Sequence, residues 1–176
     1  MHPSPGLAQL LGSLSGGPRP ARVLDLGRAD EATLNFLGGR GLEVQVAALE
    51  PPSGANALLP EFEAAAFRAI LGWDVPMRLA KGPRDTLARS LSTWLAPAGL
   101  LHLVLPLREG PPHWTYRFRV LGESRLEYFP QQPLPAASIP STRDVLDWFP
   151  DLDCSGALIL RHGAREFLFR RRGAVR

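Results

Sequence analysis

Apolar residues recur along this chain in two rhythms, and proline and glycine mark the places where one rhythm gives way to the other. Leu7, Leu10, Leu11 and Leu14 sit at steps of three and four behind Ser4-Pro5, which opens a helix that Ser15-Gly16-Gly17 ends. The spacing predicts a short N-terminal helix within residues 1–17. Arg22 to Leu26 is then a brief apolar run closed by Gly27, the signature of a buried strand. Asp30 offers a side-chain cap to a helix reaching about Leu37, where Gly38-Gly39 stops it. Glu43 to Leu49 reads as the next strand, halted by Pro51-Pro52. Strand, helix and strand within about thirty residues make one right-handed crossover unit.

A second round follows. Ala57 to Ala66 reads as a weak helix and Phe67 to Trp73 as a strand that leaves Asp74 at its carboxyl end. Pro83 opens a helix with Leu87, Leu91, Trp94 and Leu95 on one face, ended by Pro97-Ala98-Gly99. Leu100 to Leu105 is almost wholly apolar, as a central parallel strand covered on both faces must be. These alternations predict an α/β fold with a doubly wound, mostly parallel sheet in a single domain over residues 1–176.

The last seventy or so residues change character. Tyr116, Phe118 and Val120 alternate with Arg117 and Arg119, a half-buried strand that pairs with Ser124 to Phe129 inside an inserted hairpin and loop region, residues 109–140. Ser141 and Asp144 make a capping-box start for a helix carrying Val145, Leu146, Trp148 and Phe149. Ala157 to Arg161 and Arg165 to Arg170 flank His162-Gly163, predicting a C-terminal antiparallel hairpin.

In open α/β sheets, ligands bind at the carboxyl ends of strands where strand order reverses. The corresponding turn here is Asp25-Leu26-Gly27-Arg28-Ala29-Asp30. At these residues the chain resembles the class I S-adenosylmethionine-dependent methyltransferases. Val23 to Gly27 (VLDLG) looks like the opening of their cofactor loop, Phe67 to Val75 like their fourth strand, and Leu95 to Pro106 like the end of a helix and their fifth strand. The terminal hairpin is similar to their sixth and seventh strands. The resemblance covers roughly residues 21–171. It implies a Rossmann-like methyltransferase fold, S-adenosylmethionine as cofactor, Asp25, Gly27, Ala29, Glu50 and Asp74 as cofactor-binding positions, and Asp74 as the catalytic candidate.

The chain departs from the family's pattern at two places. Ala29 and Glu31 stand where the family usually has further glycines that let the backbone approach the cofactor. Ala48 stands where the family usually holds the ribose with an acid, and Glu50, two residues later and on the same strand face, is the replacement. The expectation is a divergent member with a degenerate cofactor loop, binding S-adenosylmethionine weakly or not at all and acting through a protein partner. An active methyltransferase on an unidentified acceptor is the first alternative, and a nucleic-acid-binding module the second. Each acid also has a structural role to fill: Asp25 ordering its turn, Asp30 and Glu31 facing the helix dipole, Asp74 capping the next turn.

Composition narrows the alternatives. With 45% hydrophobic and 21% charged residues the chain builds an ordinary core, and no apolar run is long enough to span a bilayer. The N-terminus lacks the charged start and apolar block of a secretory signal, so the expected location is cytoplasmic. Cys154 alone excludes an intramolecular disulfide or a cysteine-rich zinc site, and is expected as a buried, inert thiol. The four histidines lack metal-ligand spacing; His102, inside an apolar strand, is expected as a satisfied core residue. The net charge is only +3, carried by arginine except for Lys81, and Arg170, Arg171, Arg172 and Arg176 form a basic tail. No GxxxxGK[ST] loop is present to bind nucleoside triphosphates.

Overall fold

The computed structural model describes residues 1–16, 20–49, 59–106, 113–134, 139–160 and 163–173. A two-residue strand β1 (His2–Pro3) leads into α1 (Pro5–Leu14), whose N-cap Ser4 accepts the amide of Leu7. The crossover unit forms as β2 (Ala21–Asp25), α2 (Glu31–Gly39) and β3 (Leu42–Val46), with the Asp30 carboxylate capping α2 through the Thr33 amide. Next come β4 (Phe67–Trp73), a 3-10 turn (Val75–Arg78), α3 (Lys81–Trp94) and β5 (Leu95–Pro106). The hairpin strands β6 (His113–Gly122) and β7 (Arg125–Leu134) precede α4 (Thr142–Asp147), which carries the full Ser141–Asp144 capping box. The chain closes with β8 (Leu152–Leu160) and β9 (Ala164–Arg171).

Six strands form one sheet in the order β3-β2-β4-β5-β9-β8. The first four are parallel, and β9 and β8 add an antiparallel pair, the doubly wound and mostly parallel α/β arrangement expected. One face packs on α3 and α4 through Phe67, Ile70, Leu87, Leu91, Phe149 and Phe167. The other packs on α1, α2 and the β6–β7 hairpin. The helical step that spaces the leucines of α1 places Leu7, Leu10, Leu11 and Leu14 on one stripe, and all four are buried in this second layer.

Three expectations are corrected. Of the segment expected as a weak helix, residues 57–58 lie outside the described residues and residues 59–66 form no helix; they contain Pro60 and only two large apolar residues, Leu59 and Phe62, too few to sustain a stripe over successive turns. Strand β3 stops at Val46, three residues early, because Ala48 adopts a left-handed backbone (φ 47°) that breaks the extended run. Cys154 is exposed, because β8 lies at the edge of the sheet. The hairpin of residues 113–134 joins β1 in a separate three-stranded sheet.

Candidate functional site

Strand β2 sits between β3 on one side and β4 on the other, so chain order reverses at its carboxyl end and a crevice is expected there. Asp25, the last residue of β2, is buried at that point. Its Oδ1 accepts the Gly27 amide at 2.7 Å and the Trp73 indole N–H, also at 2.7 Å. Burial is the largest influence on this carboxyl and raises it; the two bonds pull it back only in part, since both donors are neutral, and its pKa is pushed up to about 6.

Trp73 ends β4 in the left-handed region (φ 51°), a conformation that costs a non-glycine residue on the order of 1–3 kcal/mol and persists only where the surroundings impose it. Its ring lies flat on Phe118 of β6, with centroids 4.8 Å apart and planes 6° from parallel. A Cβ added at Gly27 would stand 2.8 Å from Trp73 Cδ1 and 3.1 Å from its Nε1. The close approach to the loop that a glycine permits is therefore taken by the protein's own indole.

Asp74, the next residue, is fully buried and paired with Arg78. It also accepts the Tyr116 amide at 3.1 Å, while Arg78 donates to the Tyr116 carbonyl at 2.7 Å. Burial pushes the Asp74 carboxyl up, against the opposing pull of Arg78. These bonds tie β6 to the end of β4. A second set ties it to the start of α2: the Val120 amide donates to Thr33 Oγ1 at 3.0 Å, and Arg119 pairs with Asp30 and with Glu127. Burial favours a protonated Asp30, but the Thr33 amide and Arg119 outweigh it and hold that carboxyl below its ordinary value.

Asp25, Gly27 and Asp74 are thus brought to one end of the sheet. Ala29 lies half-buried on the loop leading to α2, and Glu31 is exposed in the first turn of that helix, where its charge faces the positive dipole end. Glu50 lies outside the described residues. The regular register of β3 against β2 ends at Val46, before Ala48, whose backbone is left-handed. Asp74 begins the 3-10 turn but makes no side-chain cap there; its carboxylate is spent on Arg78 and the hairpin. Trp73, Arg78 and the Tyr116–Phe118 segment went unmarked in the sequence reading of this site. A tryptophan at the carboxyl end of a switch-point strand is the one signal that pointed to them.

Next to the crevice a cavity of about 100 Å³ remains, lined by Val104, Pro106, Tyr116, Phe118 and Tyr128 among others. Pockets that hold drug-sized ligands run to roughly 300–1,000 Å³. Trp73 lies against Gly27, and both acids are engaged by groups of the protein itself. Among the described residues no group of histidine, cysteine, aspartate or glutamate is placed to hold a metal ion. No helix among them is long and apolar enough to cross a membrane.

A second buried polar cluster lies under α1. Glu166 of β9 accepts Ser4 Oγ–H and the Gly6 amide (2.9 Å), and its Oε1 stands 3.1 Å from His102 Nε2 of β5. All three side chains are buried. His102 is the core residue expected, although its Nδ1 has no bonding partner. The carboxylate lies between serine and imidazole, so the histidine has no path to deprotonate Ser4. The cluster seats α1 on the sheet.

No protein-family model matches the chain, and no curated protein matches it in sequence. Solved structures do match its fold. The 1,6-didemethyltoxoflavin-N1-methyltransferase of Burkholderia thailandensis superposes with a TM-score of 0.60 at 16% identity, over 96% of this chain and 77% of the other. The (4+2)-cyclase SpnF gives 0.55 at 11% identity over 96% and 80%. An S-adenosylmethionine-dependent methyltransferase from Aquifex aeolicus gives 0.52 at 11% identity over 93% and 88%. The chain has the Rossmann-like methyltransferase fold. A cyclase on the same fold shows that the fold alone does not name the chemistry.

Proposed function

We propose that this chain is a methyltransferase-fold protein that does not use S-adenosylmethionine at the switch point and acts by binding a protein partner. One observation carries the reading: the Trp73 indole lies against Gly27 and donates to Asp25, filling with protein the place where a cofactor would meet the loop. Admitting a cofactor requires unstacking Trp73 from Phe118 and releasing a hydrogen bond to a buried carboxylate. Losing a bond to a charged group costs about 1.5–3 kcal/mol, before any repacking.

The outer face of the β6–β7 hairpin is the proposed contact surface. Arg117 and Phe129 are cross-strand neighbours and both exposed, and Arg119 lies over the Phe129 ring at 5.1 Å. Tyr116 and Phe118 point inward, so arginines and aromatics do not alternate along one open face as a single-strand nucleic-acid platform needs. Active methyl transfer, with Asp74 beside the acceptor, has one observation in its favour, the gathering of Asp25, Gly27 and Asp74 at one crevice.

Calorimetry with S-adenosylmethionine and with S-adenosylhomocysteine separates the two readings. The expected result is no binding tighter than about 100 μM, equivalent to about −5.5 kcal/mol. Micromolar binding by the unaltered chain overturns the proposal and favours the enzyme.

A further inference from the structure

The two free edges of the six-stranded sheet are not alike. At the β3 edge, Glu43 is paired with Arg22 at 3.3 Å and Gln45 accepts from the same arginine, so charge and polar groups guard the strand. At the β8 edge, among the described residues, such a pair stands at one end only, and from Cys154 onward none is found. Leu158 is 42% exposed and its neighbour Ile159 is 73% exposed. Successive strand residues point to opposite faces, so exposure at both means that neither face of β8 is covered there. From Cys154 to Leu160 the strand carries no charge, no proline and no lysine. Asp153, the one charged residue of β8, is held by Arg172 at 2.9 Å. A bulge between Cys154 and Gly156 leaves Gly156 to Leu160 as the regular, uncharged segment, with Ala157, Leu158 and Ile159 exposed and Leu160 turned into the core.

We propose that β8 pairs antiparallel with β8 of a second copy of this chain, about a two-fold axis at Leu158, joining two sheets into one. In that register Leu158 meets its own counterpart, Ile159 meets the partner's Ala157 and Leu160 meets the partner's Gly156. Every pair is uncharged, and a bulky side chain meets a small one on either side of the axis. The remaining choice for a copy of the chain is the β3 edge. That pairing sets Glu43 and Gln45 against the leucine and isoleucine of β8, and being head-to-tail it propagates without closing. The isologous pairing closes after two copies and consumes the bare edge. This inference goes beyond the functional reading above and holds whether or not the switch-point crevice takes a cofactor.

Sedimentation velocity on the full chain between about 1 and 100 μM tests it, since the population of an assembly depends on protomer concentration. A dimer is expected. Ile159→Lys buries a charge at the seam and should raise the dimer dissociation constant at least about tenfold, with unchanged circular dichroism, because exposed positions tolerate substitution. In a Cys154→Ser background, Leu158→Cys places two sulfurs across the axis and should give a disulfide-linked dimer on mild oxidation. Val46→Cys, at the other edge, should not. A chain that stays monomeric at about 100 μM overturns the proposal. So does a dimer indifferent to Ile159→Lys and uncrosslinked through Leu158→Cys, or growth into open-ended polymers.

Discussion

Asp25 and Glu166 lie in the same protein layer, both almost fully buried and each accepting hydrogen bonds, yet their ionisation is displaced in opposite directions. At Asp25 the donors are an indole and one backbone amide, and burial wins. At Glu166 burial also acts to raise the pKa, but the His102 ring, the Ser4 hydroxyl and the Gly6 amide together outweigh it and hold the carboxyl below its ordinary value. Depth alone therefore does not decide the charge of a carboxyl; the number and kind of its donors does. The contrast also separates roles. The Glu166 cluster satisfies its carboxylate and fastens α1, whereas Asp25 is kept at a cost in the turn that the fold offers to ligands.

Changing Glu166 to Leu tests the better-satisfied member and should have the largest effect. It strands Ser4, the Gly6 amide and His102 in the core, and breaking such a pair typically costs about 3–5 kcal/mol, read from urea unfolding at pH 7. The expected companion is faster proteolysis around α1. Loss of less than about 1 kcal/mol would show that the cluster does not hold the helix.

Asp25→Asn should act in the reverse sense. The native pKa lies above the ordinary 3.8, so the stability this carboxyl contributes is fully present below about pH 3.8 and is lost as pH rises through about 6. Displacement from 3.8 to about 6 corresponds to about 3 kcal/mol at pH 7. The asparagine variant keeps an oxygen for Gly27 and Trp73, removes that cost, and should flatten the stability profile between pH 4 and pH 6. Glu166 contributes the opposite slope, since its lowered pKa loses stability as pH falls below its ordinary 4.5. A wild-type profile without a fall in the Asp25 window would place that carboxyl in a wetter site than the structure gives it.

Trp73→Phe keeps the stack on Phe118 and deletes only the indole N–H. Leaving Asp25 one donor short should cost about 1–3 kcal/mol and raise its pKa further, visible by nuclear magnetic resonance titration. The smallest effect is expected at Arg117→Glu, on the exposed side of the hairpin: a change within about 0.5 kcal/mol in stability, with weakened capture of any partner that uses this face. A large destabilisation there would mean that the face is part of the fold and not a contact surface.

Local pattern carried most of the architecture. The leucine stripe of α1, the apolar runs of β2, β4 and β5, the Asp30 cap and the Ser141–Asp144 box were legible because each depends on residues within a few positions of one another. So was the convergence of Asp25, Gly27 and Asp74, which follows from parallel strands in right-handed crossovers. The end of β3 was not legible, since a left-handed alanine at position 48 has no signature in composition. Nor was the occupancy of the crevice. Trp73 meets Gly27 and Asp25 from 48 residues away along the chain, Arg78 and Asp74 meet β6 some forty residues on, and Ser4 reaches Glu166 across 162 residues. Sequence by itself determined most of the strands and helices and which loop stands at the switch point, because those are set by local periodicity and turn chemistry. Only the tertiary structure decided that an indole lies against that loop and that one buried acid is satisfied while the other is not, because desolvation and hydrogen bonding depend on neighbours that the chain brings together only when it folds.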